Sequence, residues 1–357
     1  MAGLPEGRPE SLDRALGALI GAACGDAVGA YLEFQDSIKT SDVDKALTLP
    51  GGGCWNVGPG QFTDDTELAL CQAQGLAGHL PSAGFPADAV AQQYAWWCNA
   101  SRPFDVGITT RRAFSLRDFS QASGLAERVR ANAAASVGSK ANGATMRATP
   151  LAIWAHRLDA AAVAAAAADD ASLSHPSEAC RHANAAYVLA CAALIRAPGD
   201  AAAALAADEG WAQQHACAEV RGWLAEAWDD AAMERYDAAP QIGFVKHALC
   251  LAFHHLRRRS GFEEGLRHTL LAGGDTDTNA AIVCGLLGAL HGASAIPADL
   301  RQKVEGFEAR PGGAWPARPE ALWGRQLAPL AEQLYREAVL DAEGGAGPAP
   351  VARPEAT

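Results

Sequence analysis

The chain has 357 residues, of which 49% are hydrophobic and 20% are charged, as is typical of a globular protein with a large core. Its net charge of −12, with no basic block beyond Arg257–Arg259, argues against a general nucleic-acid-binding protein. The nine cysteines form no CxxC pair, no secretory signal is visible, and no apolar run reaches the roughly 18 residues of a membrane span. We therefore expect a cytoplasmic protein with reduced cysteines and no membrane partner.

The terminal segments 1–10 and 341–357 are polar or of low complexity, and we expect both to be disordered. Residues 11–340 contain no linker and are expected to form a single domain. Apolar residues recur there at helical spacing, whereas period-two runs rich in Val, Ile and Thr are missing. The sequence therefore predicts an all-α fold. The segments that predict helices are 11–33, 88–101, 104–119, 148–158, 159–172, 178–197 and 244–256.

A glycine stripe marks the first predicted helix, where Gly17, Gly21, Gly25 and Gly29 recur every four residues and share one face. Each glycine costs about 0.8–1.0 kcal/mol relative to alanine inside a helix, so the stripe needs a purpose. It favours close packing of another helix, and a second stripe at 285–292 predicts that these two helices are the partners. The alternative is close approach of the backbone to a ligand.

Two acidic motifs precede apolar helical runs, namely FTDDTELAL at 62–70 and GGDTDTNAA at 273–281. One capping residue would explain a single Asp or Thr at each helix start, but each motif offers at least three oxygen-bearing side chains. Carboxylates brought together raise one another's pKa, and a hard divalent cation removes that penalty. The pair of motifs predicts a dinuclear site for Mg²⁺ rather than a Cys/His zinc site.

The motifs resemble those of the ADP-ribosylglycohydrolase superfamily over residues 14–292, in type and in order. The stretches that carry the resemblance are GALIGAACGDAVGAYLEF (17–34), FTDDTELAL (62–70), FDVGITTR (104–111), NGATMRATPLA (142–152), SHPSEACRHANAAYVLA (174–190) and GGDTDTNAA (273–281). The resemblance implies a compact helical bundle with two Mg²⁺ or Mn²⁺ ions beside an ADP-ribose cleft. Additional material, relative to compact bacterial members, lies around 197–241.

The resemblance also implies roles for individual residues. The positions matching metal ligands are Thr63, Asp64, Asp65, Asp275, Asp277 and Thr278. The positions expected to take part in catalysis are Glu33, Asp64, Asp65 and Asp277. The positions expected to contact ADP-ribose are Gly107, Asn142, Gly143, Met146 and His175. The segment SVGSK before Asn142 carries no acidic residue, so the general base stays unassigned.

The expected activity is metal-dependent hydrolysis that releases ADP-ribose from modified proteins, with ADP-ribosyl-arginine as the first substrate class. ADP-ribosyl-serine or a free ADP-ribose derivative is the alternative within this class. A Mg²⁺-dependent isoprenoid synthase would also be all-α and would suit TDDTE, but it gives GGDTDT no role. A non-enzymatic relative is the third alternative, and the presence of all six ligand-type residues argues against it.

Overall fold

The computed structural model describes residues 9–344 and confirms the all-α prediction. Within that range it contains helices and two isolated antiparallel bridges, Gly52 to Val57 and Ala141 to Phe244, but no strand. The α-helices are α1 (Glu10–Gly29), α2 (Thr40–Ala46), α3 (Asp64–Leu76), α4 (Ala87–Asn99), α5 (Ile108–Phe114), α6 (Leu125–Ala133), α7 (Thr149–Ala155), α8 (Ala160–Ser172), α9 (Glu178–Arg196), α10 (Ala201–His215), α11 (Ala218–Glu226), α12 (Asp230–Glu234), α13 (Val245–Arg258), α14 (Phe262–Leu271), α15 (Thr276–His291), α16 (Ala298–Gly306) and α17 (Leu327–Ala342). Short 3₁₀ turns lie at Pro81–Ala83, Ala134–Ser136, Ala293–Ala295, Glu320–Leu322 and Gly324–Gln326.

Helices lie at both ends of the described range. Helix α1 begins at Glu10 and α17 ends at Ala342, so each reaches slightly into a segment predicted to be disordered. Residues 1–8 and 345–357 lie outside the described residues. The predicted helix 104–119 is shorter in the structure, because α5 begins only after Gly107 and 104–107 form a loop.

Helices α1 and α15 pack against each other along their glycine stripes, which confirms the packing prediction. A Cβ at Gly25 would lie 2.2 Å from the carbonyl oxygen of Ala280, and one at Gly288 would meet the Gly17 carbonyl. Only glycine permits this approach, because real Cβ contacts do not occur below about 3 Å. At the last glycine, Gly29, the opposing atom is the Cα of Asp277, 2.4 Å from where a Cβ would be. The stripe therefore brings α15's first turn directly against the end of α1.

The additional segment around 197–241 folds into α10, α11 and α12. Helix α10 packs on α9, and α11 and α12 pack on α13. Among residues 9–344, no helix is both long enough and apolar enough to cross a membrane.

Candidate active site

The two acidic motifs lie at the N-termini of α3 and α15, and these N-termini meet. Helix α3 begins at Asp64 and α15 at Thr276. The hydroxyl oxygen of Thr63 lies 3.0 Å from Asp65 Oδ2 and 3.4 Å from Asp277 Oδ2. Residues more than 200 positions apart therefore share one polar site, as the sequence predicted.

The carboxylates of this site form two groups of three. Asp26, Asp65 and Asp277 have oxygens within 4.8 Å of one another, and so do Glu33, Asp275 and Asp277. Asp277 belongs to both groups and lies between them. The donor set consists of oxygen atoms, which hard divalent cations prefer.

Three buried polar atoms without hydrogen-bond partners also indicate a cation site. Asp65 Oδ1 is buried and has no hydrogen-bond partner, and neither amide atom of Asn279, in the first turn of α15, has one. Buried polar atoms without partners are rare in folded proteins and call for a ligand or an ion. The residues present therefore fit a site for hard cations.

Asp26 holds the N-terminus of α3 from the neighbouring helix α1. Its Oδ1 accepts hydrogen bonds from the backbone N–H and the hydroxyl of Thr63, at 2.9 and 2.8 Å. Its Oδ2 accepts the corresponding pair from Thr66, at 3.0 and 2.6 Å. With both oxygens engaged, Asp26 orients Thr63 and caps α3 in place of a local capping residue.

The electrostatics of the cluster show how much negative charge is concentrated in it. Burial, together with neighbouring carboxylates, raises the pKa of Asp64, Asp65 and Asp277 well above the usual range. Burial and the charge of Asp275 raise the pKa of Glu33 to about 7. Ionising these buried groups together is therefore unfavourable, and bound cations would lower the free energy required.

Two further carboxylates lie beside the groups of three. Asp64 is buried but belongs to neither group, and after burial the charge of Asp105 is the largest influence that raises its pKa. Burial, then the charges of Glu33 and Asp65, raise the pKa of Asp105 to about 8. Sequence reasoning missed Asp105, although it lies within the FDVGITTR motif two residues before Gly107. It brings a carboxylate to the site from a third part of the chain.

Glu33 is hydrogen-bonded to an aromatic row formed by Phe34, Trp55 and Phe104. Its Oε2 accepts a hydrogen bond from Trp55 Nε1 at 2.6 Å, and the Cys54 thiol lies 3.6 Å from the same oxygen. The Trp55 ring lies 6.4 Å from the rings of both Phe34 and Phe104. The row thus connects Glu33 to the loop that carries Asp105.

Asn142 connects the predicted ADP-ribose segment to the carboxylates. Its Nδ2 donates to Asp275 Oδ2 at 2.9 Å, and its backbone N–H donates to the carbonyl of Gly243 at 2.9 Å. Gly243 has a positive φ of 78°, and a Cβ there would lie 3.3 Å from Asp275 Oδ2. The loop before α13 therefore closes over Asp275. Met146 is buried one turn further along.

His175 lies behind Gly143. A Cβ at Gly143 would be 2.9 Å from His175 Cε1, and the ring is buried. Burial, followed by the charge of Arg147, lowers the pKa of His175 to about 3, so the ring is neutral at physiological pH. Its Nδ1 pairs with the hydroxyl of Ser174 at 2.8 Å. The structure shows His175 as a support for Gly143, and direct contact with substrate stays a prediction.

A buried ion pair fixes the same loop. Arg147 pairs with Asp170 at 3.2 Å, and both side chains are fully buried. Arg147 also donates to the Gly143 carbonyl at 3.2 Å and to Ser174 Oγ at 2.9 Å. Gly107, by contrast, is exposed before α5, and a Cβ there would lie 3.8 Å from the Thr110 hydroxyl oxygen.

Comparisons with known proteins point to one family. The profile of the ADP-ribosylglycohydrolase family matches residues 7–343. The chain is 30% identical over 309 residues to the ADP-ribosyl-[dinitrogen reductase] glycohydrolase of Rhodospirillum rubrum, covering 83% of this chain and 92% of that protein. It is 27% identical over 334 residues to an ADP-ribosylarginine hydrolase of Pseudomonas putida, covering 92% of this chain and 80% of the relative.

A solved structure shares the fold. A chain of an ADP-ribosylglycohydrolase-related protein complex superposes with a TM-score of 0.67 at 27% identity, covering 92% of this chain and 99% of that one. The family profile spans both acidic motifs and all the helices between them. These matches leave no support for the isoprenoid-synthase alternative.

Proposed function

Since the chain belongs to the ADP-ribosylglycohydrolase family and is an ADP-ribosyl hydrolase, we propose that it releases ADP-ribose from modified arginine side chains of proteins with the help of two divalent cations, Mg²⁺ or Mn²⁺. The observation that carries this proposal is the pair of carboxylate groups that share Asp277 at the meeting point of α3 and α15. Bound cations would offset the negative charge of such a set, and the family supports ADP-ribose as the group released.

The residues that would hold the cations are Thr63, Asp64, Asp65, Asp275, Asp277 and Thr278. Bound there, the cations would supply positive charge to orient the ribose hydroxyls and to acidify water. The backbone N–H of Thr278 donates to Asp277 Oδ1 at 2.9 Å, and the hydroxyl of Thr63 donates to Asp65 Oδ2 at 3.0 Å. These contacts keep the carboxylate oxygens directed into one space.

The reaction to be catalysed adds water across the bond between C1 of ribose and the guanidinium nitrogen, giving ADP-ribose and free arginine. Its transition state resembles an oxocarbenium ion, as in other glycoside hydrolyses. Carboxylates beside C1 stabilise that positive charge, and one of them must accept the proton of water. Glu33 and Asp105 lie in the cluster but outside the proposed ligand set, so they are the candidates for this proton transfer.

The arginine linkage is favoured by the surroundings of Glu33. A guanidinium group binds well between a carboxylate and an aromatic face, and the site offers Glu33 beside Trp55 and Phe34. One relative of this chain also carries the name ADP-ribosylarginine hydrolase. Gly107, Asn142, Gly143, Met146 and His175 stay the predicted contacts of the ADP-ribose moiety.

The test is to incubate the purified chain with an arginine-ADP-ribosylated protein, a serine-ADP-ribosylated protein and a small O-linked ADP-ribose derivative, and to quantify released ADP-ribose. Activity on the first substrate with Mg²⁺ or Mn²⁺, and its loss in EDTA, is the expected result. Asp64→Ala and Asp277→Ala should abolish release. Asp208→Asn, a change in a buried carboxyl of α10, should not.

Preference for the serine-linked protein or the small derivative would contradict the arginine assignment and leave the family activity intact. Full activity of both alanine variants, or full activity in EDTA, would contradict the proposed role of the cations.

A further inference from the structure

Arg318, far from every motif in the sequence, makes a buried clamp between α3 and the loop that carries Asp105. Its Nε and Nη2 donate to the two oxygens of Glu67 at 2.5 and 2.7 Å. Glu67 lies two residues after Asp65 in the first turn of α3, and both partners of the pair are about 2% exposed. This bidentate pair is the geometry that suits arginine and that lysine cannot reproduce.

The remaining donors of Arg318 go to the loop 101–105. Nη1 donates to the carbonyls of Ser101 and Arg102 at 2.7 and 2.9 Å, and Nη2 donates to Ser101 Oγ at 2.9 Å. Together with the Glu67 contacts, these bonds occupy all five N–H groups of the guanidinium. Every N–H group of the Arg318 guanidinium therefore has an acceptor.

The loop held in this way is conformationally strained. Arg102 has a φ of 55°, in the left-handed region that residues other than glycine seldom adopt, and its carbonyl is one that Arg318 binds. Phe104 lies between the Arg318 guanidinium, 5.9 Å from its ring centroid, and the Trp55 ring at 6.4 Å. Strained backbone persists only where surrounding contacts hold it, and it is concentrated at functional sites.

We propose that Arg318 is a positioning residue, which holds Asp105 at the carboxylate cluster by tying the loop 101–105 to Glu67. This inference rests on the proposed function for its catalytic consequence. The clamp connects the helix that bears Asp64 and Asp65 to the loop that bears Asp105, so it fixes the distance between them. Its hydrogen bonds go to Glu67, Ser101 and Arg102, none of which is a proposed metal ligand.

The test uses Arg318→Lys, which keeps a positive charge beside Glu67 but cannot bind Glu67 and the two carbonyls together. The control is Glu337→Gln, which alters a buried carboxylate outside the site. Glu337 accepts a hydrogen bond from the Gly78 N–H at 3.0 Å. Hydrogen exchange of the segment 101–107 should be about tenfold faster in Arg318→Lys and unchanged in the control. Unchanged exchange in Arg318→Lys would overturn the clamp.

A milder variant tests the clamp in case Arg318→Lys does not fold. Ser101→Ala removes one contact of Arg318 and leaves its pair with Glu67 in place. It should accelerate exchange of the same segment to a smaller extent. No acceleration there, together with an unfolded Arg318→Lys protein, would also overturn the clamp.

The catalytic consequence is measured by a double-mutant cycle with Asp105→Asn in single-turnover assays. Arg318→Lys should lower the hydrolysis rate about tenfold to 100-fold in the wild-type background, because small displacements of a reacting group are costly. It should have almost no effect in the Asp105→Asn background, and Mn²⁺ affinity measured by calorimetry should be retained. Equal losses in both backgrounds, or an equal loss of Mn²⁺ affinity, would refute positioning through Asp105.

The two proposals can fail separately. If the wild-type chain releases no ADP-ribose from any of the three substrates, the proposed function is wrong. Hydrogen exchange still decides whether Arg318 holds the loop.

Discussion

Asp26 in α1 accepts both the backbone N–H and the hydroxyl hydrogen of Thr63, at 2.9 and 2.8 Å, through a single oxygen. Thr63 is the residue before α3, and its hydroxyl in turn reaches Asp65 at 3.0 Å. One fully buried carboxylate therefore fixes both the start of the helix and the direction of a predicted metal ligand. Stability and metal affinity should depend on it together.

Asp26→Asn is expected to lower both the free energy of unfolding and the affinity for metal. The amide nitrogen cannot accept, so the backbone N–H of Thr63 or Thr66 loses its acceptor and faces another buried donor. We expect a loss of about 2–4 kcal/mol in the free energy of unfolding, measured in urea. We also expect Mn²⁺ affinity to fall about tenfold to 100-fold by calorimetry.

An ordinary helix cap provides the control. Asp159 accepts the Ala162 N–H at 2.8 Å at the exposed start of α8. Asp159→Ala should cost about 1 kcal/mol of stability and leave Mn²⁺ affinity unchanged. If Asp26→Asn behaved like this control, the orienting role of Asp26 would be wrong.

Asp277→Asn should have opposite effects with and without metal. In EDTA the variant should be at least as stable as wild type, because burial and neighbouring carboxylates already disfavour the ionised form of Asp277. Added Mg²⁺ should stabilise wild type by about 2.7 kcal/mol at 100 times its Kd, and the variant by much less. Thermal unfolding in EDTA and across a Mg²⁺ titration measures both effects.

Asp208→Asn separates the metal response from the relief of burial. Burial, then the charge of Glu209, raises the pKa of Asp208, whose Oδ1 has no partner. The asparagine variant should also be stable in EDTA but should keep the full response to Mg²⁺. A lost response in this variant would point to a nonspecific effect of the cation.

The glycine stripe gives a prediction about packing. In Gly29→Ala the new Cβ would lie 2.4 Å from the Cα of Asp277, so α1 and α15 must separate at the site. We expect about 1–3 kcal/mol of destabilisation and weaker Mn²⁺ binding. Gly210→Ala, in the interior of α10 with nothing within 4 Å, should instead stabilise the protein by about 0.5–1 kcal/mol. Urea denaturation of both variants distinguishes local crowding from a general effect of alanine.

The sequence predicted the parts of the site that local patterns encode. Thr63 to Asp65 and Asp275 to Thr278 stand at helix starts, and the glycine stripes predicted which two helices would meet. Asp105 was missed because its loop is placed by Arg318, more than 200 residues later, and no local pattern records such a contact. For the same reason the sequence could not show that His175 lies behind Gly143, since that follows from the buried Arg147 ion pair.

A hydrogen-bonded pair of histidines, buried His255 and half-buried His268, predicts how stability depends on pH. His255 pairs with Ser260 Oγ at 3.0 Å through Nδ1 and with His268 Nδ1 at 3.0 Å through Nε2. His268 Nε2 donates to the Met233 carbonyl at 3.0 Å, so both rings are satisfied in their neutral forms. Burial, then the charges of His268, His254 and Arg258, lowers the pKa of His255 from 6.5 to about 3.

Because the folded pKa lies below the unfolded one, the stabilising contribution of His255 is complete above pH 6.5 and is lost as the pH falls toward 3. His255→Gln should therefore flatten the decline in unfolding free energy between pH 6.5 and 4.5, by up to about 1.4 kcal/mol per pH unit. Urea titrations of both proteins in the same Mg²⁺ buffer measure this difference, and the carboxylate contributions common to both cancel. Parallel pH profiles would show that His255 takes up its proton in the folded protein as readily as in the unfolded chain.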